Sequence, residues 1–380
     1  MKLLFLVRKL PPKFLGGTEI FTLILAQALA KRGHKIVVLT GAGRGERKID
    51  GVRVESIPEL IFSPRLGTIL MTFRSWQLRR KIKREIGWAD IIHAFDYETI
   101  LLLTGSQEIQ PKLVATLQDY LLISTKEAEF DANSWQRIYL KLVSPLRLFY
   151  RRRKLKQLNN VVFISKFLAN RFSLPSDVYA KVIYNPLSPD WKKITPKKET
   201  TDILYVGRLA EYKGLSILFE AIRMVIKKRK SISVKIIGEG DTDFWKRKAR
   251  VIKIDQKVRF TGRLPYNKIK KEILKTKLLV VPSLWSEPLG RVIIEGMSLG
   301  KIVIASSHGG IPELIKDGET GFLVKPGDPE ELAQKMVALL EDDDLRKGIG
   351  KAAQKEAWKR FDPALIAKKH EEFYTKILST

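Results

Sequence analysis

The chain of 380 residues has no cysteine, which removes disulfides, thiolate nucleophiles and sulfur-based zinc sites from consideration. It has only 4 histidines, too few for a histidine-rich metal centre. Uncharged apolar runs are short. None approaches the roughly 18 residues that a membrane-spanning helix needs, and the apolar run 3–7 is too brief for the core of a signal peptide. Such a chain is expected to stay in the cytoplasm. Acidic residues are scarce as well, 41 against 70 lysines and arginines, for a formal net charge of +29. That imbalance predicts attraction to polyanions: nucleic acid, an anionic membrane surface or a phosphorylated substrate.

What is present is a globular composition, 44% hydrophobic, on a chain too long for one ordinary core and sized for two domains. Its organising stretch is 278–321, LLVVPSLWSEPLGRVIIEGMSLGKIVIASSHGGIPELIKDGETG. Leu278, Leu279, Val280 and Val281 form the apolar run of a parallel strand buried on both faces. Pro288 falls where the first turn of a helix tolerates proline. Val292, Ile293, Gly296 and Met297 give that helix an apolar face, and Gly300 ends it. Residues 302–305 supply a second buried strand, so the unit reads β-α-β.

Two carboxylates mark this unit, Glu287 before the helix and Glu295 inside it, on the order of 11 Å apart along a helical axis. Between them, the N–H groups near Leu289, Gly290 and Arg291 lie at the positive end of the helix dipole and form an anion site. Gly290 lets a ligand approach the backbone. A sugar nucleotide has this layout, with sugar hydroxyls at one end, a diphosphate in the middle and ribose hydroxyls at the other. Taken singly, each glutamate also has a plain reading, as a favourable charge at a helix start or a solvated helix face.

The combination Glu-Pro-Leu-Gly, then Glu-Gly-Met, resembles the retaining glycosyltransferases of family 4 (glycosyl transferases group 1), whose signature is a Glu, seven residues and a second Glu at this place. The resemblance implies an α/β chain of the GT-B fold. Two Rossmann-like β/α/β domains would face each other across a cleft, with the C-terminal helix crossing back to the first. It implies an acceptor-binding domain at 1–190, with 363–380 packed on it, and a nucleotide-sugar-binding domain at 201–362. The polar, lysine-rich stretch 191–201 reads as the linker.

In chain order, residues 2–7 form an N-terminal strand, followed by Gly16 and Gly17 at the start of a helix over 18–32. Backbone amides there can meet a phosphate or a sugar, and the pair matches the family's N-terminal glycines. Residues 35–40, 52–57, 90–94, 113–117 and 161–165 read as further strands. Gly41-Ala-Gly43-Arg-Gly45 opens no apolar helix and reads as a turn. His93, in the pattern of a strand end, reads as structural. After the strand at 113–117 the family often carries a His-Asp pair, whereas this chain has Gln118-Asp119. A glutamine cannot take a proton at neutral pH, which argues against a general base here. It leaves open a front-face substitution in which the leaving phosphate receives the acceptor's proton.

In the second half, strands are expected at 203–206, 233–237 and 258–261. Arg208 offers a planar fork and Lys213 a compact charge five residues on, both after a strand. The resemblance assigns them to the donor diphosphate and assigns Leu264 to the nucleotide base. Helices are expected over 329–340, 345–359 and 363–378.

Together these imply transfer of a sugar, with its anomeric configuration kept, from a nucleotide-diphosphate donor to a glycan or lipid-linked acceptor. Glu287 would hold sugar hydroxyls and Glu295 the ribose, with Gly17 completing the site. No metal and no cofactor beyond the donor is expected. Alternatives are a nucleotide-sugar epimerase on the same fold, or a basic peripheral binding protein that has lost catalysis at Gln118. Nucleic acid is not the expected partner. Two basic clusters interleaved with apolar residues stand in the first half: Arg74, Arg79, Arg80, Lys81, Lys83 and Arg84, then Arg147, Arg151, Arg152, Arg153, Lys154 and Lys156. They read either as interfacial helices on an anionic membrane or as solvated helix faces.

Overall fold

A computed structural model describes the chain except for residues 12–15, 42, 44, 61–67, 125–144, 147, 194 and 196 and the side chains of 68–74. Arg147 and the side chain of Arg74 lie outside the described residues. The contacts divide the chain into two units, Met1–Pro186 with Pro363–Thr380, and Leu187–Asp362.

Unit 1 is built on a sheet of eight strands: β1 (Lys2–Val7), β2 (Lys35–Thr40), β3 (Glu46–Ile49), β4 (Val52–Ser56), β5 (Ile91–Ala94), β6 (Leu113–Leu117), β7 (Asn160–Phe163) and β8 (Tyr179–Val182), in the order β3-β4-β2-β1-β5-β6-β7-β8. All neighbours pair parallel except β3 with β4. The central strands are buried on both faces, which is why they read as unbroken apolar runs. The polar β3, ERKI, alternates between exposed and half-buried positions at the sheet edge. The glycine-rich turn before it carries Gly43 at φ +104° and Gly45 at φ +65°, so it reverses the chain and binds no helix start.

The Pro363–Leu378 helix returns to unit 1 and packs on the Gly17–Ala30 helix. Its Phe373 stacks on Tyr179, with ring centroids 4.7 Å apart. Its Tyr374 hydroxyl lies 2.6 Å from His93 Nδ1, and His93 Nε2 lies 2.6 Å from Thr116 Oγ1. Both nitrogens of this buried ring are therefore satisfied, and burial, followed by the neighbouring His370, holds His93 well below the usual imidazole range. His93 is a structural tie between the sheet and the returning helix.

Unit 2 holds six parallel strands, β9 (Thr201–Val206), β10 (Val234–Ile237), β11 (Val258–Phe260), β12 (Thr276–Val281), β13 (Ile302–Ser306) and β14 (Phe322–Val324), in the order β11-β10-β9-β12-β13-β14. Helices Pro329–Glu341 and Asp343–Phe361 follow, each N-capped by an aspartate, Asp328 and Asp342. The stretch read as a linker is anchored at its start. Trp191 is buried, its ring 5.3 Å from that of Tyr266, and Lys270 Nζ donates to Lys193 O. Unit 2 thus begins at Leu187 and includes this stretch. No helix among the described residues is long and apolar enough to cross a membrane.

Candidate functional site

In an open parallel sheet, ligands settle outside the carboxyl ends of the strands, where the strand order reverses. In unit 2 this point lies between β9 and β12, because the chain runs outward from β9 to β10 and β11 on one side and from β12 to β13 and β14 on the other. The loops that leave these two strands carry Lys213 and Glu287. Lys213 Nζ donates to Glu287 Oε1 at 2.6 Å, and Ser283 Oγ donates to the same oxygen at 3.1 Å. Glu287 Oε2 accepts no hydrogen bond among the described residues.

Backbone geometry clamps the two loops together. Gly214, at φ +74°, follows the short 3-10 turn Glu211–Lys213 and caps the Leu215–Lys228 helix. A Cβ on Gly214 would overlap Pro282 O, so no other residue fits. Tyr212 O accepts from Leu284 N at 3.0 Å and from Trp285 N at 2.9 Å. On the far side, Gly310 N donates to Glu287 O at 2.7 Å, and a Cβ on Gly309 would stand 2.5 Å from that same carbonyl. Glycines on both flanks therefore let three loops close on Glu287.

The helix of the β-α-β unit runs Arg291–Ser298 with Gly290 as its N-cap at φ +97°. It starts later than the proline signal suggests, because Gly290 in the left-handed region turns the chain between Pro288 and the first helical residue. Glu287 therefore lies four residues before the helix, and the separation along a continuous axis does not apply to the pair. Leu289 is buried, so only its backbone can meet a ligand. Neither Leu289 N–H nor Gly290 N–H donates to a backbone carbonyl among the described residues.

Glu295 is buried and its Oε1 accepts from Arg291 Nε at 2.7 Å and from Tyr266 OH at 2.8 Å. Arg291 Nη2 also donates to Tyr266 OH, at 3.0 Å. Burial by itself would lower the Arg291 guanidinium, but Tyr266 and Glu295 outweigh it and raise it. Tyr266 is raised by burial and then by Glu295. The Arg291–Glu295 spacing of four is a signal that the sequence carries; the partnership with Tyr266 has no local signal.

Arg208 and Leu264 rise from a row of glycines at the ends of β9, β10 and β11. Gly207 N donates to Ile237 O at 3.0 Å and Gly238 N to Gly262 O at 3.1 Å, and a Cβ on Gly238 would overlap Gly207 O. The Arg208 carbonyl accepts from the buried Tyr205 hydroxyl at 2.6 Å, and its side chain is exposed. Leu264 is half-buried. Lys213 and Glu287 touch, and Glu295 is held separately by Arg291 and Tyr266.

Unit 1 has its own reversal point, between β1 and β5. Gly16 caps the Gly17–Ala30 helix, and Glu19 folds its carboxylate over Gly16, where a Cβ would collide with it. A hydroxyl-bearing ligand fits this helix start better than an anion does. Gln118 bridges neighbouring loops: its Oε1 accepts from Thr18 Oγ1 at 3.2 Å and its Nε2 donates to Phe95 O at 3.3 Å. Sequence reasoning missed an acidic cluster here. Arg8 Nη1 pairs with Glu98 Oε1 at 2.7 Å, Arg8 N donates to Asp96 Oδ2 at 2.8 Å, and Glu98 Oε2 is buried with no donor among the described residues. Burial, and then Asp96, pushes Glu98 up to about 8, and burial pushes Asp119 up to about 6.

The chain matches the model of glycosyl transferases group 1 over residues 188–356 and that of glycosyltransferase family 4 over residues 15–191. An uncharacterised glycosyltransferase of Methanocaldococcus jannaschii is 27% identical over 98% of each chain. A phosphatidyl-myo-inositol mannosyltransferase of Mycobacterium leprae is 30% identical over 47% of each chain. Among solved structures, Anabaena HepE in complex with UDP and glucose superposes with a TM-score of 0.73 at 22% identity, over 99% of each chain.

Proposed function

Because the chain belongs to the group 1, family 4 glycosyltransferases of the GT-B fold, we propose that it moves a sugar from a nucleotide-diphosphate donor to an acceptor with retention of anomeric configuration. The observation that carries this reading is the Lys213–Glu287 pair at the reversal point of unit 2. It offers a cation for a phosphate and an open carboxylate oxygen for a sugar hydroxyl side by side.

In this reading Glu287 Oε2 accepts from hydroxyls of the donor sugar, and Lys213 and Arg208 hold the diphosphate. The N–H groups of Leu289 and Gly290 add further donors to phosphate oxygens. Glu295, fixed by Arg291 and Tyr266, accepts from the ribose, and Leu264 backs the base. As the bond from the anomeric carbon to the phosphate oxygen breaks, negative charge grows on that phosphate, where two cations are worth most. The acceptor oxygen bonds to the anomeric carbon on the face the phosphate leaves, and its proton passes to the departing phosphate oxygen. Gln118 needs no proton in this scheme and serves to position. The two cations supply the charge that a metal would otherwise bring, so turnover is expected to survive excess chelator.

Unit 1 holds the acceptor, with Gly16, Gly17 and Glu19 presenting the polar helix start. The mannosyltransferase relative acts on a phosphatidyl lipid by its name, which supports a lipid-linked or envelope glycan acceptor met by a cytoplasmic enzyme at a membrane. UDP held in HepE supports a nucleoside diphosphate as the leaving group. The test is calorimetry with UDP, GDP and ADP together with turnover of the matching sugars. Lys213→Ala should lower affinity for the preferred diphosphate about tenfold, and Glu287→Ala should reduce turnover more than nucleotide affinity. Wild-type behaviour of both variants would refute the assignment. Consumption of donor sugar without an acceptor, giving an epimer, would favour an epimerase.

A further inference from the structure

The orientation of Glu295 depends on a partner outside its own helix. Arg291 Nε and Tyr266 OH both donate to Oε1, while Oε2 accepts no hydrogen bond among the described residues. Two donors on one oxygen fix the plane of a carboxyl group and leave its other oxygen aimed one way. Arg291 stands on the same helix as Glu295, four residues earlier. Tyr266 begins the Tyr266–Leu274 helix, 29 residues away in sequence, and supplies a reference point on a separate element.

Tyr266 is itself held on two sides. The Arg291 guanidinium carbon lies 5.5 Å from its ring centre, and the Trp191 ring lies 5.3 Å away, tilted by 33°. Trp191 is 2% exposed, whereas Asp190, Lys192 and Lys193 around it are exposed. An indole turned inward from an otherwise exposed turn takes its place from what it packs on. Lys270, four residues after Tyr266, donates to Asp190 O and to Lys193 O. The turn Pro189–Trp191 and the start of the Tyr266–Leu274 helix therefore hold one another, and the Tyr266 hydroxyl rides on that block. Burial, and then Glu295, keeps this hydroxyl protonated and so a donor. It also accepts from Arg291 Nη2, which closes a ring of contacts with the Arg291–Glu295 ion pair. A ring needed only to fill space would do without the hydroxyl.

We propose that Trp191 and Tyr266 form a brace that aims Glu295 Oε2 at the ribose, so that the brace sets how strongly the protein prefers a ribonucleotide to a deoxyribonucleotide. The proposal rests on the reading of Glu295 as the ribose acceptor, and Tyr266 is a positioning residue in it. Holding one oxygen in place strengthens binding of a ligand whose hydroxyl meets that oxygen and gives nothing to a ligand that lacks the hydroxyl.

Calorimetry on the full chain is to compare UDP, GDP and ADP with their 2′-deoxy and 3′-deoxy forms. The wild type should bind its preferred ribonucleotide about thirtyfold more tightly than the deoxy form lacking the contacted hydroxyl. Tyr266→Phe should cut that ratio to about threefold by weakening the ribonucleotide, with the deoxy form held within about twofold. Glu295→Ala should remove most of the ratio, and adding Tyr266→Phe to it should change nothing further, because the hydroxyl acts through the carboxylate. Trp191→Leu should lower the ratio about threefold, and so should Lys270→Met, which frees the turn while leaving the buried rings in place. Thermal unfolding identifies the folded variants. Equal weakening of ribo and deoxy forms in Tyr266→Phe, an unchanged ratio, or additive losses in the double variant would overturn the brace and leave the donor reading standing. A wild type that binds none of these nucleotides would overturn that reading and the brace with it.

Discussion

The two strand-order reversals of this protein carry the same pair of groups, a cation against a glutamate, and treat them in opposite ways. In unit 2, Lys213 and Glu287 meet at 2.6 Å with side chains 24% and 15% exposed, and one carboxylate oxygen stays open. In unit 1, Arg8 and Glu98 meet at 2.7 Å with Glu98 only 2% exposed, Asp96 alongside and the second oxygen shut in with no donor among the described residues. Separation is nearly identical, so separation does not distinguish a ligand site from a lock. Access and the number of competing carboxylates do: one pair can exchange its partner for an incoming phosphate, while the other has nowhere to send its charge and takes up a proton instead.

The largest expected effect breaks this comparison if it fails. Glu98 is held at about 8 against an ordinary 4.5, so its contribution to stability is fully present below pH 4.5 and lost as pH rises through 8. Glu98→Gln should remove that loss, a difference on the order of 4 kcal/mol between the two pH dependences, read from urea unfolding at pH 5 and pH 9. Parallel curves would mean that Glu98 stays ionised throughout. Next, Arg8→Met should destabilise the fold by about 3 kcal/mol, because it leaves the buried Asp96 without its cation and Glu98 without its donor; a change under about 0.5 kcal/mol would contradict the lock.

A third experiment sharpens the comparison by removing an opposing slope. Burial lowers His370 to about 4 from an ordinary 6.5, so its contribution is fully present above pH 6.5 and lost as pH falls through 4. His370→Gln should flatten stability over that acid window by on the order of 3 kcal/mol. The smallest effect belongs to the open pair. Lys213→Met should change stability by less than about 1 kcal/mol while weakening nucleoside diphosphate binding, since a partly exposed ion pair contributes little to folding. A large loss of stability there would make both pairs locks.

Much of the fold was legible because buried parallel strands announce themselves. The runs at 35–40 and 113–117 match β2 and β6 residue for residue. The edge strand β3 was not, since ERKI has neither an apolar run nor β-branched alternation. Trp191 hid among lysines, and only its distant partner Tyr266 explains its burial. At the candidate site, sequence spacing picked out Lys213, Glu287 and Glu295; Ser283 and Arg291 hold the two glutamates from four residues away, but Lys213 meets Glu287 across 74 residues and Tyr266 meets Glu295 across 29, with no local signal for either. The Arg8–Glu98 lock was invisible for a plainer reason: Asp-Tyr-Glu after a strand looks like a solvated helix start, and only the third dimension buries it.

The Gly214–Pro282 contact has a consequence for motion. With no room for even one methyl group between them and two hydrogen bonds tying Tyr212 to the following loop, the lysine and the glutamate ride on a single splint. Ligand entry can turn their side chains but cannot spread the backbones that bear them. Adjustment to sugars of different size must therefore come from neighbours outside the splint, and variation among donors should be sought there.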